Sequence, residues 1–151
     1  MRRPQERQPL EHSVVSCPTA AVAILEDGTE FYYNYLDGLG ELRGVRTTPL
    51  DEGEPLYKIG RTTGYTRGRV SAIEVDDLIV GYDMGDLSFN GQFMIEPRDK
   101  EPFSLGGDSG SLIFDRQRMA VGLLFAGNDV DATFASPIGS VLDMLRVDLI
   151  H

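Results

Sequence analysis

The chain has 151 residues, 41% of them apolar, with 24 acidic against 14 basic side chains and a formal net charge of −10. That length and apolar share fit one compact domain with a core and exclude global disorder. The charge excludes the basic footprint of a nucleic-acid partner, and an acidic surface serves solubility.

Seventeen Gly and eight Pro imply many turns and favour an all-β chain over a helix bundle. Cys17 is the single cysteine. It excludes an internal disulfide and a paired-cysteine zinc site, and predicts a cytoplasmic protein. Beside Pro18 and an apolar run, it reads as a small buried hydrophobe. No apolar h-region follows the basic N-terminal residues, so no signal peptide is expected. No apolar stretch reaches the length of a membrane span.

In chain order, residues 1–13 are polar and carry three Arg, and residues 1–18 read as a mobile tail. Ala20 to Leu25 predicts a short buried strand, Asp27-Gly28 a turn, and Phe31 to Leu36 an aromatic strand. Together they predict a hairpin. Residues 37–55 are rich in Gly and Pro and read as a connection. From Leu56 onward strands are expected at 56–60, 68–75, 78–82, 87–95, 111–115, 119–125 and 132–136, a spacing that suggests a barrel or a sandwich. Pro137 then opens a helix, with Val141, Leu142 and Leu145 at helical spacing.

Residues 106–111 read Gly-Gly-Asp-Ser-Gly-Ser. A nucleophilic hydroxyl must project from a tight turn whose backbone N–H groups converge, and Gly permits that path. Ser111 breaks the Gly-x-Ser-x-Gly elbow of α/β-hydrolases, and no βαβ rhythm surrounds the motif. On the motif alone, an ordinary Gly-rich turn in a different small β-barrel is the alternative.

A second segment, residues 57–70, reads Tyr-Lys-Ile-Gly-Arg-Thr-Thr-Gly-Tyr-Thr-Arg-Gly-Arg-Val. With Gly-Asp-Ser-Gly downstream, it resembles the second barrel of trypsin- or chymotrypsin-like serine peptidases, especially the bacterial α-lytic protease-like group. Residues 120–127 and 134–138 resemble the next barrel strand and the last strand before the terminal helix. The resemblance implies an all-β chymotrypsin-like antiparallel barrel with a short C-terminal helix over 56–151. Residues 19–55 would be a remnant of the first barrel with a linker. It implies Ser109 as the nucleophile position and the N–H groups of Gly107 and Ser109 as an oxyanion hole. Asp108 would be the buried carboxylate that fixes the turn, with neighbouring backbone or side-chain donors. Leu124, Phe125, Ala126 and Gly127 would pair with an extended substrate, and Phe103 would lie near the base of an apolar specificity pocket.

The remaining triad members are not where the resemblance requires them. Segment 18–25 resembles the strand that begins with the catalytic Asp, but Thr19 stands at that position. The two histidines, His12 and His151, read as solvated terminal residues. Lys58 and Lys100 are conceivable dyad bases, but Lys58 reads as a solvated strand residue and Lys100 as part of a charged surface loop. Asp76-Asp77 and Asp129 with Asp131 read as turn or surface acids, so no metal is assigned; no cofactor is expected either. Three functions follow: a non-cleaving peptide- or protein-binding domain, a peptidase completed by a partner chain or homo-oligomer, or a piece of a longer enzyme. An incomplete two-barrel protein is expected to self-associate or to need a partner.

Overall fold

A computed structural model describes residues 13–15, 20–24, 27–28, 35–83, 85–128 and 130–151. His12, Cys17, Thr19, Asp129 and, of the hairpin expected over 20–36, residues 25–26 and 29–34 lie outside the described residues. The elements run β1 (Ser13–Val15), β2 (Tyr35–Leu36), β3 (Gly40–Glu41), β4 (Gly44–Val45), β5 (Pro55–Gly60) and β6 (Gly64–Val75). They continue with β7 (Leu78–Tyr82), β8 (Gly85–Phe89), β9 (Gln92–Pro97), β10 (Leu112–Phe114), β11 (Met119–Gly127), β12 (Thr133–Pro137) and α1 (Ile138–Leu145).

Six strands in the order β10-β5-β6-β9-β12-β11 form an antiparallel sheet, and pairing of β10 with β11 closes it into a barrel. Closure leaves these strands no open edge. Side chains alternate across the wall: on β5, Leu56 and Lys58 are buried inside, while Tyr57 and Ile59 face out. Leu56, Val70, Ile95, Phe103 and Ile113 fill the interior, each contributing about 1.5–3 kcal/mol through burial. A second cluster, with Leu42, Phe114, Ala120 and Ile138, lies outside the wall.

Three segments differ from the sequence reading. The stretch 37–55, read as a connection, contributes short strands: β2 pairs with β3, and β4 adds parallel to β11 at Gly44↔Met119 and Val45↔Ala120. The single strand expected over 87–95 is two, β8 and β9, broken at Asn90-Gly91, where Gly91 takes φ 68°. β8 pairs with β7 and β1, whereas β9 pairs with β6 and β12. One apolar run therefore crosses from a small sheet into the barrel, and alternation alone does not mark the corner. Finally, Val22 and Ile24 are not in a buried strand; they are 60% and 100% exposed, because nothing among the described residues covers them.

α1 begins directly after Pro137, the N-cap, and ends at Arg146 in a left-handed conformation. Ile138 and Val141 are its buried residues. No helix among the described residues is long and apolar enough to cross a membrane.

Candidate active site

The β5–β6 turn and the Gly-rich turn face each other across one carboxylate. Asp108 is 1% exposed. Its Oδ1 accepts the N–H groups of Thr62 at 2.8 Å and Thr63 at 3.2 Å. Its Oδ2 accepts the Thr63 hydroxyl at 2.7 Å and the Leu105 N–H at 3.1 Å. Burial pushes the Asp108 carboxyl up, but the Thr63 hydroxyl and the N–H groups of Leu105, Thr62 and Thr63 outweigh it and hold the pKa at about 2. An inward Asp108 with local donors is what the resemblance implied.

Lys58 is a correction. It is not solvated but fully buried, because the strand alternation that places Leu56 inside places Lys58 there too. Its Nζ lies 3.4 Å from Asp108 Oδ2, donates to Thr63 Oγ1 at 2.6 Å and to the Gly64 carbonyl at 3.3 Å, and stands 5.7 Å from the Phe103 ring centroid. Burial lowers the Lys58 pKa, and Asp108 opposes that shift. Gly60 makes room for the pair: a Cβ there would collide with the Asp108 carboxylate and stand 2.9 Å from Lys58 Nζ.

The turn itself is held from both sides. Asp108 N–H donates to the Leu105 carbonyl at 3.0 Å, and Gly110 N–H to the Leu124 carbonyl at 2.8 Å. Ser111 donates its N–H and its hydroxyl to the Asp108 carbonyl, at 3.0 and 2.6 Å. Among the described residues the N–H groups of Gly107 and Ser109 have no acceptor. The Gly106 carbonyl accepts the Thr62 hydroxyl at 3.0 Å. The intervening peptide is planar and trans, so the Gly107 N–H points away from Thr62. Gly107 takes φ 97°, and a Cβ there would sit 2.6 Å from Thr62 Oγ1, so glycine is required on both counts.

Ser109 is exposed at the mouth of a groove of about 330 Å³. One wall is Leu124 to Gly127 of β11, and another is Val80 to Tyr82 of β7. Phe125 packs on Phe89, with ring centroids 5.0 Å apart. Ser104 also lines the groove, and its Oγ is 2.7 Å from Oγ1 of Thr133, which is buried behind it. The structure therefore brings Ser109 together with the four expected β11 residues. Phe103 is not among the lining residues: it is 1% exposed in the barrel core. Sequence reasoning missed Ser104, its partner Thr133 behind the groove, and the β7 wall. Ser104 stands four residues before Asp108, but no local pattern pairs it with Thr133.

Among the described residues no nitrogen base is hydrogen-bonded to the Ser109 hydroxyl. Lys58 is committed to Asp108, and Lys100 is exposed on a loop. The His151 Nδ1 is 2.9 Å from the Leu149 carbonyl, and its ring lies beside Gly44. Asp76 accepts the Gly91 N–H and Asp131 the Asn128 amide. No group of three or more His, Cys, Asp or Glu among the described residues is placed to hold a metal.

The profile of peptidase family S64 matches residues 29–145, which include the whole turn, the groove and the β5–β6 hairpin. The chain belongs to peptidase family S64. Its structure is similar to Cellulomonas bogoriensis chymotrypsin, at 26% identity and a TM-score of 0.55. It is also similar to Thermobifida fusca protease A, at 22% and 0.58, and to Nocardiopsis protease, at 23% and 0.54. These matches cover 78%, 78% and 79% of this chain and 59% of each of those proteins. The S64 chain thus spans about three-fifths of their length, and its barrel is chymotrypsin-like. No curated protein is similar enough in sequence to match it.

Proposed function

We propose that this S64 chain is the nucleophile-bearing half of a serine-peptidase-like site, which binds an extended peptide or protein segment and does not cleave it unaided. The observation that carries the proposal is a contrast. The turn around Ser109 is braced by Asp108, Ser111 and Gly110, yet among the described residues the Gly107 and Ser109 N–H groups have no acceptor and no base reaches the hydroxyl. Leu124 to Gly127 would pair with the bound segment. The two N–H groups would receive its carbonyl, and Ser109 would occupy the attack position without the proton acceptor that a hydroxyl needs. Its location would be cytoplasmic, a reading supported by the single cysteine.

The buried Lys58–Asp108 pair favours a second reading. A charge pair fully out of water is costly, and here it braces a catalytic type of turn. In this reading an imidazole and its orienting carboxylate come from a partner chain, a second copy or further chain, and Ser109 acts as an endopeptidase nucleophile. The test is reaction of Ser109 with a fluorophosphonate probe, for the isolated chain, in lysate, and with added imidazole, against Ser109→Ala. The isolated chain is expected to label slowly and imidazole or lysate to accelerate it if the second reading holds. Rapid Ser109-dependent labelling and peptide-ester turnover by the isolated chain would overturn the first reading.

A further inference from the structure

A second concavity of about 480 Å³, which shares no lining residue with the Ser109 groove, lies over the outer face of β5 and the β10–β11 turn. Its floor is a row of rings: Tyr65 stacks on Tyr57 at 6.1 Å, and Tyr57 on Phe114 at 6.0 Å. Tyr65 remains 48% exposed, although it is a large ring. Three guanidinium groups, from Arg43, Arg116 and Arg118, stand around this row.

The same groove contains one carboxylate, and it is already used. Asp115 Oδ1 accepts the N–H groups of Gln117 and Met119, both at 2.9 Å, and Oδ2 faces Arg46 at 3.7 Å. Arg118 donates to the Leu39 carbonyl at 2.6 Å, and the Arg43 N–H donates to the Arg118 carbonyl at 2.9 Å. These bonds tie Leu39, Arg43 and Arg118 together along the rim. Arg43 and Arg116 are exposed and have no ion pair or side-chain hydrogen bond among the described residues. In a chain with ten more acids than bases, three arginines around a single, already partnered carboxylate are a local inversion of sign. Inverted patches steer and hold ligands of opposite charge.

We propose that this groove binds an acidic peptide segment of another protein, with its carboxylates on Arg43 and Arg116 and an aromatic side chain on the exposed face of Tyr65. Guanidinium groups suit carboxylates because the planar fork takes two oxygens at once. Flat rings add contact area for an aromatic side chain. A nucleic acid fits worse. It would extend its charge well past three arginines onto a surface of net charge −10, within a screening length of about 10 Å at ordinary ionic strength.

The experiment is fluorescence anisotropy of the full chain with a labelled peptide of alternating Glu and Tyr, and with the same peptide carrying Gln for Glu. Saturable binding of the Glu peptide is expected. It should weaken with added salt and fall by about tenfold in the doubly charge-reversed Arg43→Glu, Arg116→Glu variant. Both substitutions are on exposed side chains, and thermal melting of the variant checks that it folds. Ser109→Ala should bind the peptide unchanged, which separates failure of this site from failure of the peptidase-like reading. Equal binding of the Gln peptide, no loss on charge reversal, tighter binding of a single-stranded RNA, or binding seen only as self-association would overturn the proposal.

Discussion

Removing one partner of the Lys58–Asp108 pair is expected to cost more stability from one side than from the other. At 3.4 Å and an effective dielectric of about 20, the gross attraction is about 5 kcal/mol. Most of it offsets the removal of both ions from water. Leaving one buried charge alone typically costs about 3–5 kcal/mol. Lys58→Met leaves Asp108 with four donors, from Thr62, Thr63, Thr63 and Leu105, so the loss should lie near about 3 kcal/mol or below. Asp108→Asn leaves the ammonium with only the Thr63 hydroxyl and the Gly64 carbonyl. It also points an amide NH₂ at groups that are themselves donors. Its loss should lie near the upper end, about 4–5 kcal/mol. The double variant should lose less than the sum. Raising the pH should partly rescue Asp108→Asn. Burial already depresses Lys58, so the folded state sheds that proton first and stability rises with pH below the unfolded lysine pKa. Urea unfolding followed by circular dichroism measures all four chains, since the sequence has no Trp. A cost for Lys58→Met below about 0.5 kcal/mol, the range of surface changes, would refute the burial of Lys58. Asp108→Asn proving the cheaper variant would refute the donor count.

Acid should unfold the chain through Asp108. Its pKa falls from the ordinary 3.8 to about 2, so about 2 kcal/mol of stability is present above pH ~4 and is lost as pH falls through ~2; a pH series of urea melts reads it. Gly107→Ala should cost about 1–3 kcal/mol, since φ 97° strains any side chain and the Cβ meets Thr62; thermal melting checks it. Ser109→Ala should leave stability within about 0.5 kcal/mol, because the hydroxyl is exposed and accepts no structural bond, while it removes all fluorophosphonate labelling.

The barrel was legible because its strands are short, bounded by turn residues, and alternate in burial. The turn at 106–111 was legible because the motif needs glycine at Gly107, where a Cβ would meet Thr62, and at both Gly107 and Gly110, whose φ is positive. Lys58 was not legible. A lysine in a strand is ordinarily a solvated residue, and its burial depends on a partner fifty residues downstream. A separation of 29 residues likewise hid the pairing of Ser104 with Thr133. Alternation on β5 did contain the clue, since Lys58 shares a face with Leu56, but a charge on the inner face is readable only once its counter-charge is known. The break at Asn90-Gly91 was missed for a different reason: β8 and β9 belong to different sheets and do not pair with each other, so the two residues make a corner rather than a hairpin.

Among the described residues, the bracing of the Ser109 turn is confined to this barrel. Asp108 is tied to Thr62 and Thr63 on the β5–β6 turn and to Lys58 on β5, and the turn's exit is tied to Leu124 on β11. Every one of these partners lies between residues 55 and 127. Electrostatic preorganisation of an oxyanion site needs donors already held in place before substrate arrives; in the proposed function the Gly107 and Ser109 N–H groups would be those donors, on a turn that, among the described residues, is braced by none upstream of β5. General-base activation is different, because it requires a nitrogen delivered to the hydroxyl within about 3 Å. The two contributions therefore sit on separable parts of the site. A carbonyl-binding function would survive in this barrel alone, whereas acceleration of attack by Ser109 would rise and fall with whatever supplies the base. A non-hydrolysable peptide aldehyde, which needs the N–H pair to hold its adduct with Ser109, should bind more tightly to the wild-type chain than to Gly107→Ala even with no base present. Equal affinity for both chains would mean that the unpaired N–H groups do not converge on a bound carbonyl.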